Sequence, residues 1–299
     1  MKKQISIIGV PMYLGVGRRG VDMGPSAMRY ANIVKRLEGI GHNVEDLGDI
    51  EAFNSESVEL GNPKVKYLKE VKAVNTNLAQ KVSAIIAGGR FPLVLGGDHS
   101  IAIGTIAGVS EHYPNLGLIW VDAHADINTD ETTSTGNIHG MPLAASLGLG
   151  ISELANIHGF APKIKPENIV IIGARSLDPG EKRLVKELGI KVFSMHEIDR
   201  MGMARVMDAA ILFLRERTDT VHLSFDLDVI DPQEAPGVCV PERGGITFRE
   251  GHLAMEMLSE TGLIVSAEFT EVNPILDNKN NTAETAVGLV ASALGEKLL

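Results

Sequence analysis

The sequence predicts an α/β fold in which a mostly parallel sheet of about eight strands is covered by helices. Short β-branched runs alternate with longer amphipathic ones from end to end, the mark of repeated βαβ units. Several short runs, such as "FPLVLGG" and "NIVIIGA", are apolar at nearly every position, as strands buried on both faces must be. No Pro/Ser-rich linker and no internal repeat divides the chain, so residues 1–299 read as one domain.

The strand candidates, in order, are 5–11, 43–48, 91–97, 116–124, 168–174, 190–195, 221–229 and 263–272, each rich in Ile, Val, Leu or Phe. Helix candidates with apolar positions three and four residues apart lie between them at 25–40, 65–88, 100–113, 181–188, 199–217, 247–261 and 282–297. Eight strands fit either an open sheet or a closed barrel, and the pattern does not choose between them. In both architectures an active site is expected beyond the C-terminal ends of the strands.

Composition narrows the partners. A formal net charge of -10 leaves no basic surface for nucleic acid or for an anionic membrane. No run reaches the roughly 18 apolar residues of a membrane span. "MKKQISIIGVPMYLG" carries too short an apolar run for a signal peptide and reads as a first buried strand. The single cysteine, Cys239, excludes an intrachain disulfide and points to a reducing, cytoplasmic setting.

Three strands end in chemistry. "LIWVDAHADINT" runs from apolar residues into Asp122, His124 and Asp126, and "SFDLDVIDP" into Asp226 and Asp228. "FPLVLGGDHS" ends in Asp98 and His99. If the strands extend that far, residues two apart share a face and the side chains converge. Gathered carboxylates repel one another and lose solvation, so cations must offset them. Oxygen donors with a few imidazoles and no thiolate in the motifs suit Mn²⁺ better than structural zinc. Two divalent ions balance Asp122, Asp126, Asp226 and Asp228, and such a pair can lower the pKa of a shared water and support hydrolysis. A centre carrying hydroxide suits a cationic electrophile. Glu271, in "TEVNP", adds a carboxylate of the kind a guanidinium prefers, and His139, in "GNIHG", can move protons to a leaving amine. His42, His112, His158, His196, His222 and His252 fall outside these motifs and read as ordinary surface or core residues, and Cys239 as a small buried one.

Taken together, "GGDHS", "VDAHADINT", "GNIHG", "SFDLDVIDP", "EVNP" and the N-terminal "RRGVDMGPSAMRYA" resemble the ureohydrolases, and among them the bacterial-type arginases, across essentially the whole chain. The resemblance implies an open three-layer α/β/α fold and two Mn²⁺ per subunit. It also implies hydrolysis of L-arginine to L-ornithine and urea by a metal-bridging hydroxide that attacks the guanidinium carbon. By motif, one ion would take His99, Asp122, Asp126 and Asp226, and the other His124, Asp122, Asp226 and Asp228. His139 matches the family's proton shuttle and Glu271 the carboxylate near the guanidinium. Asn128 and Thr135 match positions at the substrate's α-carboxylate, and Asp178 and Glu181 positions around its α-amino group. A trimer or hexamer is implied as well.

"DINTDETTSTGNIHG" keeps Asn128 and a hydroxyl-rich run, as arginases do, which favours arginine over agmatine. Agmatine or another guanidino or formimino compound is the alternative substrate, and a weakly active metal-binding scaffold the second alternative. Thr135 stands where the family usually has Ser, Val229 where it has Gly, and "GVCVPERGG" replaces a common Gly-Thr-Pro run. A β-branched Val229 would be strained if its position required a positive φ.

Overall fold

The computed structural model describes residues 2–297. Its sheet contains β1 (Gln4–Val10), β2 (Asn43–Asp49), β3 (Phe91–Gly96), β4 (Gly117–Val121), β5 (Ile169–Ile172), β6 (Lys191–Phe193), β7 (Val221–Asp226) and β8 (Ile264–Thr270). The strands lie in the order β2-β1-β3-β8-β7-β4-β5-β6, and every pairing is parallel. Because β2 and β6 are edges, the sheet is open rather than a barrel. All eight expected strands are present.

Helices cover both faces. Gly24–Tyr30, Ile33–Gly39, Met203–Arg215, Phe248–Glu260 and Asn281–Ala293 pack their apolar stripes on one side, around Ile5, Leu93, Leu223 and Phe269. Leu68–Ala87 and Ala102–Ser110 cover the other, around Val94 and Ile8, with Pro142–Ser146 and Pro179–Leu188 near Trp120 and Ile171. β3, β4, β5 and β7 are buried throughout, as their unbroken apolar runs require.

The helices depart from expectation where a residue adopts a left-handed or extended backbone. The stretch 25–40 is two helices, broken at Asn32 (φ 62), a residue type that tolerates this region. The stretch 199–217 begins at Met203 because Gly202 (φ 79) separates it from another helix, Met195–Met201. Pro142–Ser146 and Ser152–Ala155 were not anticipated, being too short to carry a helical period.

Strand order is what assembles the site. β3, β8, β7 and β4 are neighbours at the centre of the sheet although their sequences are far apart. Their C-terminal ends therefore bring residues 98–99, 271, 226–228 and 122 together. Gly97 makes the approach at β3 possible: a Cβ there would sit 1.9 Å from the Met12 carbonyl oxygen.

Candidate metal centre and active site

The acids do not converge by strand alternation. β4 ends at Val121, and β7 ends at Asp226, so Asp122, His124 and Asp126 lie in a loop and Asp228 in the short helical turn Leu227–Val229. One local device serves all three strand ends instead. The Asp98 carboxylate accepts from the Ser100 N–H at 3.0 Å, Asp122 from His124 N–H at 2.7 Å and Asp226 from Asp228 N–H at 2.8 Å. Each aspartate thus turns its own chain, because a short side chain reaches the amide two residues on. Asp126 then sits at φ 47 and Glu271 at φ 67, conformations that cost energy for a non-glycine residue and concentrate at functional sites. Val229 shows no such strain. It closes the helical turn Leu227–Val229, outside the positive-φ residues, and its buried side chain packs where a Cβ on Gly173 would lie 2.4 Å from its Cγ2.

His99 Nδ1 lies 3.2 Å from both Asp122 Oδ2 and Asp126 Oδ2 and 3.1 Å from Asp226 Oδ2. On the other side of Asp122, His124 Nδ1 lies 3.0 Å from Asp228 Oδ2 and 3.4 Å from Asp122 Oδ1. Donor atoms of His99, Asp122 and Asp126 fall within 4.8 Å of one another, as do those of Asp122, His124 and Asp228. Asp122 belongs to both groups. His99 Nδ1 is buried and has no hydrogen-bond partner, and a single N–H could not serve three carboxylates in three directions. A cation can, so the donor set fits divalent metal ions.

Protonation in the ion-free centre tells the same story. Burial works against a charged His99, yet the facing carboxylates of Asp122, Asp126 and Asp226 hold its pKa well above the ordinary value. Burial, then the charges of Asp228 and Asp122, raises Asp226 far above the carboxylate range. Burial also lifts Asp228 to about 6, with His124 opposing and Asp122 reinforcing. Burial opposes the ionisation of Asp122, but the facing imidazoles of His124 and His99 outweigh it and lower its pKa. Without a cation, protons must hold this cluster together.

Above the centre lies a cavity of about 230 Å³, lined by His124, Asp126, Asn128, Thr135, His139, Ser176, Asp178, Glu181, Val240, Glu242 and neighbouring residues. The Asn128 N–H donates to the Gly140 carbonyl at 3.0 Å, closing the hydroxyl-rich loop so that Asn128 and His139 share a wall. Asn128 Nδ2 donates to Asp178 Oδ2 at 3.1 Å. Glu181 lines the cavity but is committed to the backbone, accepting from Ile127 N–H at 3.2 Å and Asp178 N–H at 2.8 Å. Burial lifts its pKa to about 7. Glu271 lies behind His139 rather than on the cavity wall: its Oε1 accepts from the His99 N–H at 2.9 Å and sits 3.4 Å from His139 Nδ1. Burial would lower the His139 pKa, but the Glu271 carboxylate overrides it and raises it to about 9.

Several residues here escape sequence reasoning. Trp120 stacks on His99 with ring centroids 4.1 Å apart and donates from Nε1 to Asp122 Oδ2 at 2.8 Å, fixing both side chains. Behind His99, Nε2 meets Ser224 Oγ at 2.8 Å, and that hydroxyl donates to the buried Glu268 at 2.8 Å. His222 lies 3.4 Å from Glu268 and is a core residue, as expected. Ser224 and Glu268 could have been suspected as polar residues facing inward on apolar strands. Glu242, in "GVCVPERGG", gave no signal beyond its charge.

A sequence profile of the arginase family matches residues 3–295. The chain belongs to the arginase family. It is 61% identical to an arginase of Bacillus caldovelox over 298 residues, covering 99% of this chain and 100% of that protein. It is likewise 61% identical to an arginase of Bacillus subtilis over the full length of both. The solved native structure of the B. caldovelox arginase superposes with a TM-score of 0.97, covering 99% of this chain and 100% of that one. A more distant arginase, from Entamoeba histolytica and solved in complex with L-ornithine, is 32% identical with a TM-score of 0.90, covering 99% of each chain. The open three-layer fold expected from the motifs is therefore the fold of its relatives.

Proposed function

We propose that this chain is a manganese-dependent arginase that hydrolyses L-arginine to L-ornithine and urea. The observation that carries this reading is the pair of interlocking His/Asp groups sharing Asp122 beneath a cavity walled by Asn128, Thr135 and Asp178. The full-length identity to proteins named arginase supports it. By their chemistry His99, Asp122, Asp126 and Asp226 would hold one ion, and His124, Asp122, Asp226 and Asp228 the second. When bound, two such ions would lower the pKa of water at the site and supply hydroxide near neutral pH.

The rest is the work of the chain. Asn128 and Thr135 offer neutral donors to an α-carboxylate, and Asp178 an acceptor to an α-ammonium. His139, on the cavity wall, would give a proton to the δ-nitrogen as its bond to the guanidinium carbon breaks, and Glu271 behind it would keep that proton available. Carbon gains the water oxygen, the amine leaves as ornithine, and the other two nitrogens depart with the carbon as urea. We extend the proposal to one functional unit over 1–299, to a cytoplasmic setting suggested by the lone cysteine, and to a trimeric or hexameric assembly suggested by the family. Among the described residues no helix is long and apolar enough to cross a membrane.

A substrate panel on manganese-loaded protein, with urea detection, tests the reading. L-Arginine should release urea faster than agmatine, and the rate should climb toward alkaline pH as hydroxide becomes available. Faster turnover of agmatine would overturn the choice of substrate.

A further inference from the structure

The cavity has a wall that the roles above leave unused. Residues 240–242 follow the metal-binding turn of β7 and are tied to it by Arg175. This guanidinium donates to the carbonyls of Asp228 at 2.7 Å, Val229 at 3.1 Å and Glu242 at 2.8 Å. The backbone of Glu242 is thus registered against Asp228 by one rigid, planar fork. Its side chain, 36% exposed, turns into the cavity. There Oε1 accepts from Ser176 Oγ at 3.0 Å and lies 3.9 Å from His124 Nε2.

Acceptor capacity distinguishes Glu242 from the other acids of the lining. Both oxygens of Glu181 are taken by main-chain N–H groups. Asp178 caps the helix Pro179–Leu188 and also accepts from Asn128. Asp126 faces His99. Glu242 Oε2 accepts no hydrogen bond among the described residues, and the described lining contains no Lys or Arg to neutralise it. The Arg175 guanidinium, the nearby cation, is turned onto backbone carbonyls. Beside Ser176, in a cavity whose lining also contains Asp178 and Asn128, stands a carboxylate with an open oxygen. A primary ammonium brings three donors in three directions, and one partly occupied Asp178 cannot satisfy them.

We propose that Glu242 is a specificity-determining residue that binds the substrate's α-ammonium together with Asp178. The inference rests on the guanidino-hydrolase reading of the site and names the residue that sets which guanidino compounds it prefers. Compounds bearing a free amine distal to the guanidinium gain a charge-assisted hydrogen bond; the corresponding acid without that amine brings no donor to this carboxylate.

The test compares Glu242→Gln with the unaltered protein, both manganese-loaded, on L-arginine, agmatine and 5-guanidinopentanoate, which lacks the amine. The variant should raise KM about tenfold for the two amines while kcat stays within about twofold, the scale of one charge-assisted contact. For 5-guanidinopentanoate KM should hold or fall. An equal rise for all three compounds, a loss confined to kcat, or no change in any of them overturns the proposal; the second would mean that Glu242 acts through His124. Calorimetric binding of L-ornithine and of 5-aminopentanoate reads the same discrimination without turnover. The unaltered protein should prefer L-ornithine, and Glu242→Gln should erase most of that preference. Should the unaltered protein release no urea from any of the compounds, the functional reading fails on its own account, and the calorimetric result still decides the role of Glu242.

Discussion

His99 and His124 stand on either side of Asp122, yet the protein treats them differently. The side chain of His99 is 0% exposed, stacked on Trp120 and backed by Ser224 and Glu268. That of His124 is 19% exposed, lines the cavity and has Glu242 at 3.9 Å behind its Nε2. In the first case a carboxylate acts through a hydroxyl in a dry core; in the second it stands in the substrate space. One half of the centre is therefore built to hold still, and the other to meet what enters.

The hydroxyl of Ser224 settles which way the hydrogens run. Its single proton goes to Glu268, so its oxygen accepts from His99 Nε2–H, which leaves Nδ1 as the nitrogen that would face an ion. Such partners behind a ligand fix the ring and its tautomer. No comparable fixed donor or acceptor lies within hydrogen-bond distance of His124 Nε2 among the described residues.

The largest way to break the comparison is to remove one acid from each half. Asp126 belongs to the His99 group and Asp228 to the His124 group. Asp126→Ala and Asp228→Ala should each lower urea release by about a hundredfold or more, since two-ion chemistry needs both positions filled. Elemental analysis after desalting should find close to one ion lost per subunit in each variant. Full occupancy in either one would remove that aspartate from the ligand set.

A smaller effect sharpens the difference between the halves. Ser224→Ala takes away the hydroxyl that both His99 and Glu268 use, leaving a buried carboxylate short of a donor. Metal affinity should fall about 10- to 100-fold, the range for lost partners behind a ligand. Stability should drop by about 1–3 kcal/mol, as for a buried polar group left unsatisfied. Chelator titration and thermal unfolding measure the two. If affinity is unchanged while stability falls, the Ser224–Glu268 pair belongs to the core alone.

Much of this was legible in the sequence, for identifiable reasons. Strands buried on both faces write themselves as continuous apolar runs, which marks β3, β4, β5 and β7, while the exposed edge strand β2 is legible only from its place in the βα alternation. The ligands are local, because each aspartate turns its own chain within two residues, which leaves a short motif at each strand end. The mechanism of that turning was not legible: "VDAHAD" alternates like a strand, but the strand stops at Val121. Strand order was hidden too, since neither β3 nor β8 says in its own residues that the two pair. Trp120, Ser224, Glu268 and Glu242 become meaningful only once that order sets them against His99 and His124. Val229 shows the reverse case. Its departure from the family residue suggests strain, but its backbone φ is not positive, and the room for its side chain comes from Gly173, 56 positions away in sequence and adjacent in space.

Acidity offers the mildest way to test the two halves, because protons and metal ions compete for the same groups. In the ion-free protein His139 has its pKa raised to about 9 and Asp228 to about 6. A raised folded-state value means that the native state binds the proton more tightly than the unfolded chain does. The contribution of His139 is therefore complete below its unfolded value near 6.5 and fades as pH rises through about 9. For Asp228, the proton that steadies the fold is lost between about 4 and 6. Ion-free protein should accordingly melt at lower temperature as pH climbs from 5 to 9. Manganese reverses the preference, since ligand carboxylates must be ionised and ligand imidazoles neutral. The gap in Tm between manganese-loaded and chelator-treated protein should widen steadily over that span. A gap that stays constant with pH would mean that protons do not hold the cluster together when the ions are gone.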